Sequence, residues 1–358
     1  MKVEVASKRK NILGEGPHWD ERSGTLLYDD ARGPEVVRYD PQTRTETEIL
    51  KLDYEIGNLI PYAEDNRKLM VCMGNGVYKV DLDTKKTTLL TEMLDKDSPV
   101  PTRINDGKCD AMGRLWAGSM PIKVDLEGMV QGKNNFWSYS KGQLKHKLDN
   151  ISLSNGITWT ADNKTMFYND SVPGKLFAFD FDLASGNINE QTDRRADGQA
   201  DGGTHRWTGG QVNGRTGGQT VYGWTDRLTD GRVDRQTAGW TGGQTGNRRV
   251  LAEFRVTPGY QQLGYPDGMT IDVNDKLWIT CFAAGAVVQV DPETAKVLTK
   301  INFPAKYTTS CCFGGKNYDT LYVTSATYPP DATRPEDGLL FQVTELGVKG
   351  KPAFEFAG

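Results

Sequence analysis

No stretch of this chain approaches the roughly 18 consecutive apolar residues that a membrane-spanning helix requires, and Met1 to Gly14 lack the apolar core of a signal peptide. Membrane and secretory readings are set aside on that ground. Clustered Lys and Arg are also missing from the regular part of the sequence. The whole chain's 43 basic side chains face 47 acidic ones for a net charge of -4, which leaves no block to neutralise a phosphate backbone. Nucleic acid is therefore excluded as a partner, and a small molecule or protein is expected instead. Histidine is scarce: with only His18, His146 and His205 an HExxH zinc site cannot form, and a GxSxG nucleophile elbow and a P-loop are absent too. The five cysteines (Cys72, Cys109, Cys281, Cys311, Cys312) are odd in number and show no CxxC spacing, which fits a reducing, cytoplasmic setting. Catalysis would fall to carboxylates and amides. The 358 residues are 37% hydrophobic and 25% charged, a composition of a globular chain with a sizeable core.

One segment departs from this vocabulary. Thr192 to Asn247 holds 14 of the 40 Gly and 3 of the 8 Trp, but no Lys, Glu, Pro, Phe, Ile, Met or Ser. WTGGQ occurs at Trp207 and again at Trp240, and GGQT at Gly217 and Gly242. Its few aliphatic residues, Val212, Val221, Leu228 and Val233, offer too little apolar area to offset the ordering entropy of so many glycines. Residues 192–247 are read as a low-complexity insert, either a disordered surface loop or an artefact of the gene model. An Arg-rich binding arm is disfavoured because its seven Arg are nearly cancelled by six Asp. Deleting the insert is expected to leave activity intact.

The remainder is strand-like and repetitive. Short apolar runs beginning at Leu27, Leu69, Leu115, Met166, Leu277 and Leu321 each lead through a polar turn into a second strand, a hairpin pattern. The anchors are 42, 46, 51, 111 and 44 residues apart, and the 111 falls to 55 without the insert. An all-β period of roughly 40 to 55 residues marks a propeller of four-stranded blades. The expectation is one six-bladed β-propeller domain spanning residues 1–358, with a central axial metal site.

The metal expectation comes from the same register. Ten to twelve residues before each anchor stands a polar residue: Glu15, Asn58, Asn105, Asn155, Asp267 or Ser310. Taken singly, Asn105-Asp106-Gly107, Asn155-Gly156 and Asp267-Gly268 read as turns. Six in register, on strands that line a central channel, are expected to converge near the axis. Oxygen donors without Cys or His select a hard divalent cation, calcium, magnesium or manganese, with zinc less favoured. Such a cation can polarise an ester or lactone carbonyl while an adjacent carboxylate takes a proton from water.

The stretches LGEGPHWD (from Leu13), RINDGKCDAMGRLWAGSM (from Arg103), SNGITW (from Ser154), YPDGMTIDVNDKLWIT (from Tyr265) and TTSCCFGGKNYDTLYVTSA (from Thr308) resemble the regucalcin family, also called the senescence marker protein 30, gluconolactonase and luciferin-regenerating enzyme family. The similarity runs from about Gly14 to the closing LGVKGKPAFEFAG and skips only the insert. The resemblance implies a propeller with one divalent metal held by Glu15, Asn155 and Asp267, and aldonolactone hydrolysis as the activity. It further implies that Arg103 and Asn105 hold substrate oxygens and that Asp267 doubles as the base activating water. One position departs from the family. Three residues after AGSM, where vertebrate members carry a substrate-contacting glutamate, this chain has Lys123, with Asp125 and Glu127 nearby. Losing an acceptor for a substrate hydroxyl costs on the order of 1 to 3 kcal/mol of binding, or invites an anionic ligand.

The remaining residues of interest have plainer readings. Strand alternation points His18 away from Glu15. Trp19, Trp116, Trp159 and Trp278 adjoin the anchor strands and are expected to fill space between blades. Cys311 and Cys312 read as small buried hydrophobes, and Asp106 as a residue orienting its loop. The expected protein is a monomeric metal-dependent lactonase acting on a small-molecule lactone. A calcium-binding regulatory protein and a luciferin-regenerating type of hydrolase are the alternatives.

Overall fold

The computed structural model describes residues 1–93, 98–123, 132–188 and 248–358. The insert at 192–247 lies outside them, as do Asp125 and Glu127. The described residues form six four-stranded antiparallel sheets and no helix. Five sheets are meanders in chain order, spanning residues 14–51, 56–92, 102–151, 154–253 and 265–302. The sixth combines three strands from residues 308–344 with the N-terminal strand Lys2–Ser7, which pairs antiparallel with Leu340–Thr344. The chain is a six-bladed β-propeller, closed by its own beginning, and every anchor lies on the second strand of a blade.

Packing follows the sheet pleat, since alternate side chains of each strand face the two neighbouring blades. Phe167, Leu176 and Ala252 of the fourth blade bury against Met269, Leu277 and Val288 of the fifth. Trp116 and Phe136 of the third meet Trp159 and Tyr168 of the fourth, and Trp278 joins the fifth and sixth. Across the closure Trp19 stacks on Tyr322 with ring centroids 5.8 Å apart. The four tryptophans therefore fill the space between blades, as expected. Two of them also lock a turn. Asp110 accepts the Trp116 indole N–H at 2.8 Å and the Met112 and Arg114 backbone N–H groups, and Asp272 does the same for Trp278 at 2.9 Å with Asn274 and Lys276. DAMGRLW and DVNDKLW are thus one structural motif.

Each innermost strand carries a register irregularity two to four residues along. In five of the six, two residues stand opposite one, and they are Gly16-Pro17, Asn105-Asp106, Asn155-Gly156, Asp267-Gly268 and Thr309-Ser310. In the second blade Gly57 alone is extra. Such bulges break the ladder and re-aim side chains. The turn reading of the Asn-Gly and Asp-Gly pairs is corrected here: they lie inside strands, and none of these glycines has a positive φ. Close approach between blades explains the glycine instead. A Cβ on Gly156 would sit 2.5 Å from the Asp267 carbonyl oxygen, and one on Gly268 would sit 2.6 Å from the Ser310 Cα.

Candidate functional site

The first halves of the innermost strands converge on a cavity of about 270 Å³, lined by Glu15, Arg103, Asn105, Asn155 and Asp267 among others. Five of the six residues singled out in the sequence as catalytic, metal-ligating or substrate-binding therefore meet. The sixth, Lys123, is exposed beyond the strand Leu115–Pro121 and does not line this cavity.

The expected ring of six polar residues divides in two. Asn58 and Ser310 line a second, narrower cavity of about 160 Å³ at the other end of the channel, together with Asp106, His18 and Cys312. Parity in the bulge accounts for the split, because a one-residue shift sends a side chain to the opposite side. Asn105, Asn155 and Asp267 come first in their bulges, whereas Asp106 and Ser310 come second. Residues 351–354 of the C-terminal segment close this second cavity. Burial lowers the His18 proton affinity to about 4 and raises all five cysteine thiols, so neither residue type is reactive here.

The donor geometry of the wider cavity begins with Asn155, which is 5% exposed. Its Nδ2 donates to Ser171 Oγ at 3.0 Å, and that hydroxyl donates to the Pro266 carbonyl at 2.6 Å. The relay fixes the amide, leaving a buried Oδ1 with no partner. Glu15 has its carboxyl pushed well above the usual range by burial, then by the charges of Asp267, Asp106 and Asp29. Burial and Asp106 push Asp267 the same way, against hydrogen bonds from Asn155 and the Gly268 backbone. A buried Asp267 and a half-buried Glu15 beside an orphaned amide oxygen are costly unless a cation joins them. Among the described residues no three His, Cys, Asp or Glu side chains group as a metal site. The third donor here is an amide, and the all-oxygen set of Glu15, Asn155 and Asp267 fits a hard divalent cation.

Arg103 forms the adjacent wall at 3% exposure, with Nη1 donating to Ile104 O at 2.9 Å and Asn105 Oδ1 at 3.1 Å. Its Nε stands 3.1 Å from Glu55 Oε2. Asn105 Nδ2 in turn donates to Ser154 O at 2.8 Å, tying the third blade to the fourth. Three contributors had no periodic signal in the sequence. Asp29 pairs across the strands with Glu15 and is fully buried, with no partner for either oxygen and a carboxyl pushed well above the usual range, chiefly by burial. Arg32 and Ser171 follow the second strands of their blades, where only a turn was legible.

The family described as SMP-30/Gluconolactonase/LRE-like region matches residues 13–238 and 218–327. Regucalcin of Danio rerio is 30% identical over 362 residues, covering 100% of this chain and 99% of its own. A solved luciferin-regenerating enzyme superposes with a TM-score of 0.77 at 25% identity, covering 100% of this chain and 99% of its own. Regucalcin from Agrobacterium tumefaciens, described as a calcium-binding protein, superposes with a TM-score of 0.72 at 22% identity, over 99% of this chain and 97% of its own, a likeness of fold. With these matches running the length of the propeller, the chain belongs to the SMP-30/gluconolactonase/LRE-like family.

Proposed function

We propose that this chain is a divalent-metal-dependent hydrolase that opens a sugar lactone. The observation that carries the reading is the convergence of Glu15, Asp267 and the partnerless Asn155 Oδ1 on one cavity that also contains Arg103 and Asn105. Glu15, Asn155 and Asp267 would hold the cation, which when bound would supply Lewis acidity toward the lactone carbonyl. Asp267 takes the proton of the attacking water, a role that demands the ionised form its burial alone disfavours. Arg103 and Asn105 hold substrate oxygens, and their mutual hydrogen bond keeps both aimed before substrate arrives. Ring opening breaks the acyl C–O bond, and the proton gained by Asp267 leaves with the new hydroxyl. We further propose a monomer in a reducing, cytoplasmic setting, a reading supported by five free, buried cysteines.

Hydrolysis of D-glucono-1,5-lactone by chelator-stripped protein, with calcium, magnesium, manganese or zinc restored one at a time, tests the proposal. Turnover is expected only with metal, and Asp267→Ala is expected to abolish it while the melting curve stays cooperative. Metals that bind without supporting hydrolysis of any lactone would favour a calcium-binding protein without catalytic duty, the reading that the Agrobacterium tumefaciens relative's description supports. Turnover confined to luciferin-type substrates would favour the luciferin-regenerating alternative, which the likeness to that solved enzyme supports.

A further inference from the structure

The charges lining the wider cavity are Glu15, Asp267, Arg103 and Arg32. The two carboxylates would offset a divalent cation, and Arg103 faces Glu55. Among the described residues Arg32 has no such partner. Its guanidinium lies over the Tyr328 ring, 3.9 Å from the centroid. Its Nε is buried without a hydrogen-bond partner, and no acidic side chain of the described residues pairs with it. The charge of Arg32 is close enough to Arg103 to help lower the proton affinity of Arg103, after burial. A half-buried cation over an aromatic face keeps its in-plane N–H groups free to donate.

The turn that carries Arg32 is rigid. Asp30 accepts the backbone N–H groups of Ile12 at 2.8 Å, Leu13 at 3.0 Å and Gly33 at 3.0 Å. Ala31 donates to Leu13 O at 2.8 Å and accepts from Ile56 N at 3.0 Å, so the turn is bonded to the neighbouring blade. Arg32 is therefore held at the cavity rather than swept through solvent, and a preorganised guanidinium loses little on binding a planar anion.

We propose that Arg32 is a specificity residue that selects a carboxylate-bearing substrate, a lactone with an acid group remote from its reacting carbonyl. The substrate class rests on the lactone reading above; the anion subsite does not.

Two measurements on the full-length, calcium-loaded protein test it. In the first, kcat/KM is compared for D-glucaro-1,4-lactone, which carries a carboxylate, and D-glucono-1,5-lactone, which does not. Wild type is expected to prefer the acidic lactone. Arg32→Gln is expected to lower its kcat/KM roughly 10- to 100-fold through KM, to leave the neutral lactone within about twofold, and Arg32→Lys to restore part of the loss. In the second, calorimetry follows benzoate and its neutral counterpart benzamide, neither of which can be hydrolysed. Benzoate is expected to bind wild type but not Arg32→Gln, and benzamide to bind neither. If wild type turns over both lactones equally and Arg32→Gln changes neither, or if benzoate binding ignores the substitution, the proposal is overturned while lactone hydrolysis stands. If no lactone is turned over but benzoate binding depends on Arg32, lactone hydrolysis fails and the anion subsite survives.

Discussion

Asn155 shows how a bond one step removed sets the chemistry of an atom. The Ser171 hydroxyl, its own proton committed to the Pro266 carbonyl, can only accept from the amide nitrogen, and the amide oxygen is left without a partner. The carboxylates beside it carry a pH consequence. Glu15 and Asp267 have raised proton affinities in the metal-free fold, so between the ordinary carboxylate range near about pH 4 and those raised values the folded state holds more protons than the unfolded chain. Stability of the metal-free protein therefore falls as pH rises through that window, and Asp29 and Asp106 add to it. His18 acts in the opposite sense, because its value drops from 6.5 to about 4 and stability rises across that interval. Above it the carboxylates act alone until about pH 8, where the five buried thiols, also raised, begin to add a decline of their own. Thermal melts of chelator-treated protein from pH 6.5 to 8 are expected to show a declining midpoint, and millimolar calcium to flatten the decline. A flat metal-free profile would contradict the assignment of buried, uncompensated carboxylates. At this scale the residues on the repeating bulge were legible because six copies could be superposed. Arg32, Asp29 and Ser171 were not, because nothing periodic marks a strand-end or turn residue that happens to point inward.

The bulge is the element on which the cavity depends, and it was visible in the sequence only as Asn-Gly and Asp-Gly pairs that also spell turns. The shared register ahead of each anchor suggests that all six polar positions converge at one end of the channel. The extra residue in each innermost strand breaks that rule and sends Asn58 and Ser310 to the opposite end of the channel. Glycine at 156 and 268 is dictated by distance between blades rather than by φ, which gives Gly156 a direct test. Adding a methyl group there forces the Asp267 backbone outward. Gly156→Ala is expected to destabilise the fold by about 1–3 kcal/mol and to weaken calcium binding in the same variant, measured by urea unfolding and calorimetry. A stability loss with unchanged calcium affinity would separate the blade contact from the donor geometry.

At the scale of the whole molecule, the blade count followed from spacing, whereas the means of closure did not, because a strand such as Lys2–Ser7 gives no hint of a partner more than 300 residues away. The same holds for the C-terminal segment. It crosses the far face of the ring, where the Phe356 N–H donates to Pro61 O at 2.9 Å and its carbonyl accepts from Ala63 N at 2.9 Å. The ring of Phe356 is 1% exposed, edge-on to Tyr62 at 5.0 Å and stacked with Tyr139 at 6.1 Å. Phe356→Ala is expected to cost about 3–5 kcal/mol, read as a lower urea midpoint. A change below about 1 kcal/mol would mean that the segment only rests on the ring.

Closure by the first strand also sets a timetable for biosynthesis. Lys2–Ser7 is translated more than 300 residues before its partner Leu340–Thr344. At about 5–20 residues per second the two are made roughly 20 to 70 s apart. Throughout that interval the waiting strand must be kept from pairing with the open edges of nascent blades, so the window for misassembly is set by the pace of translation.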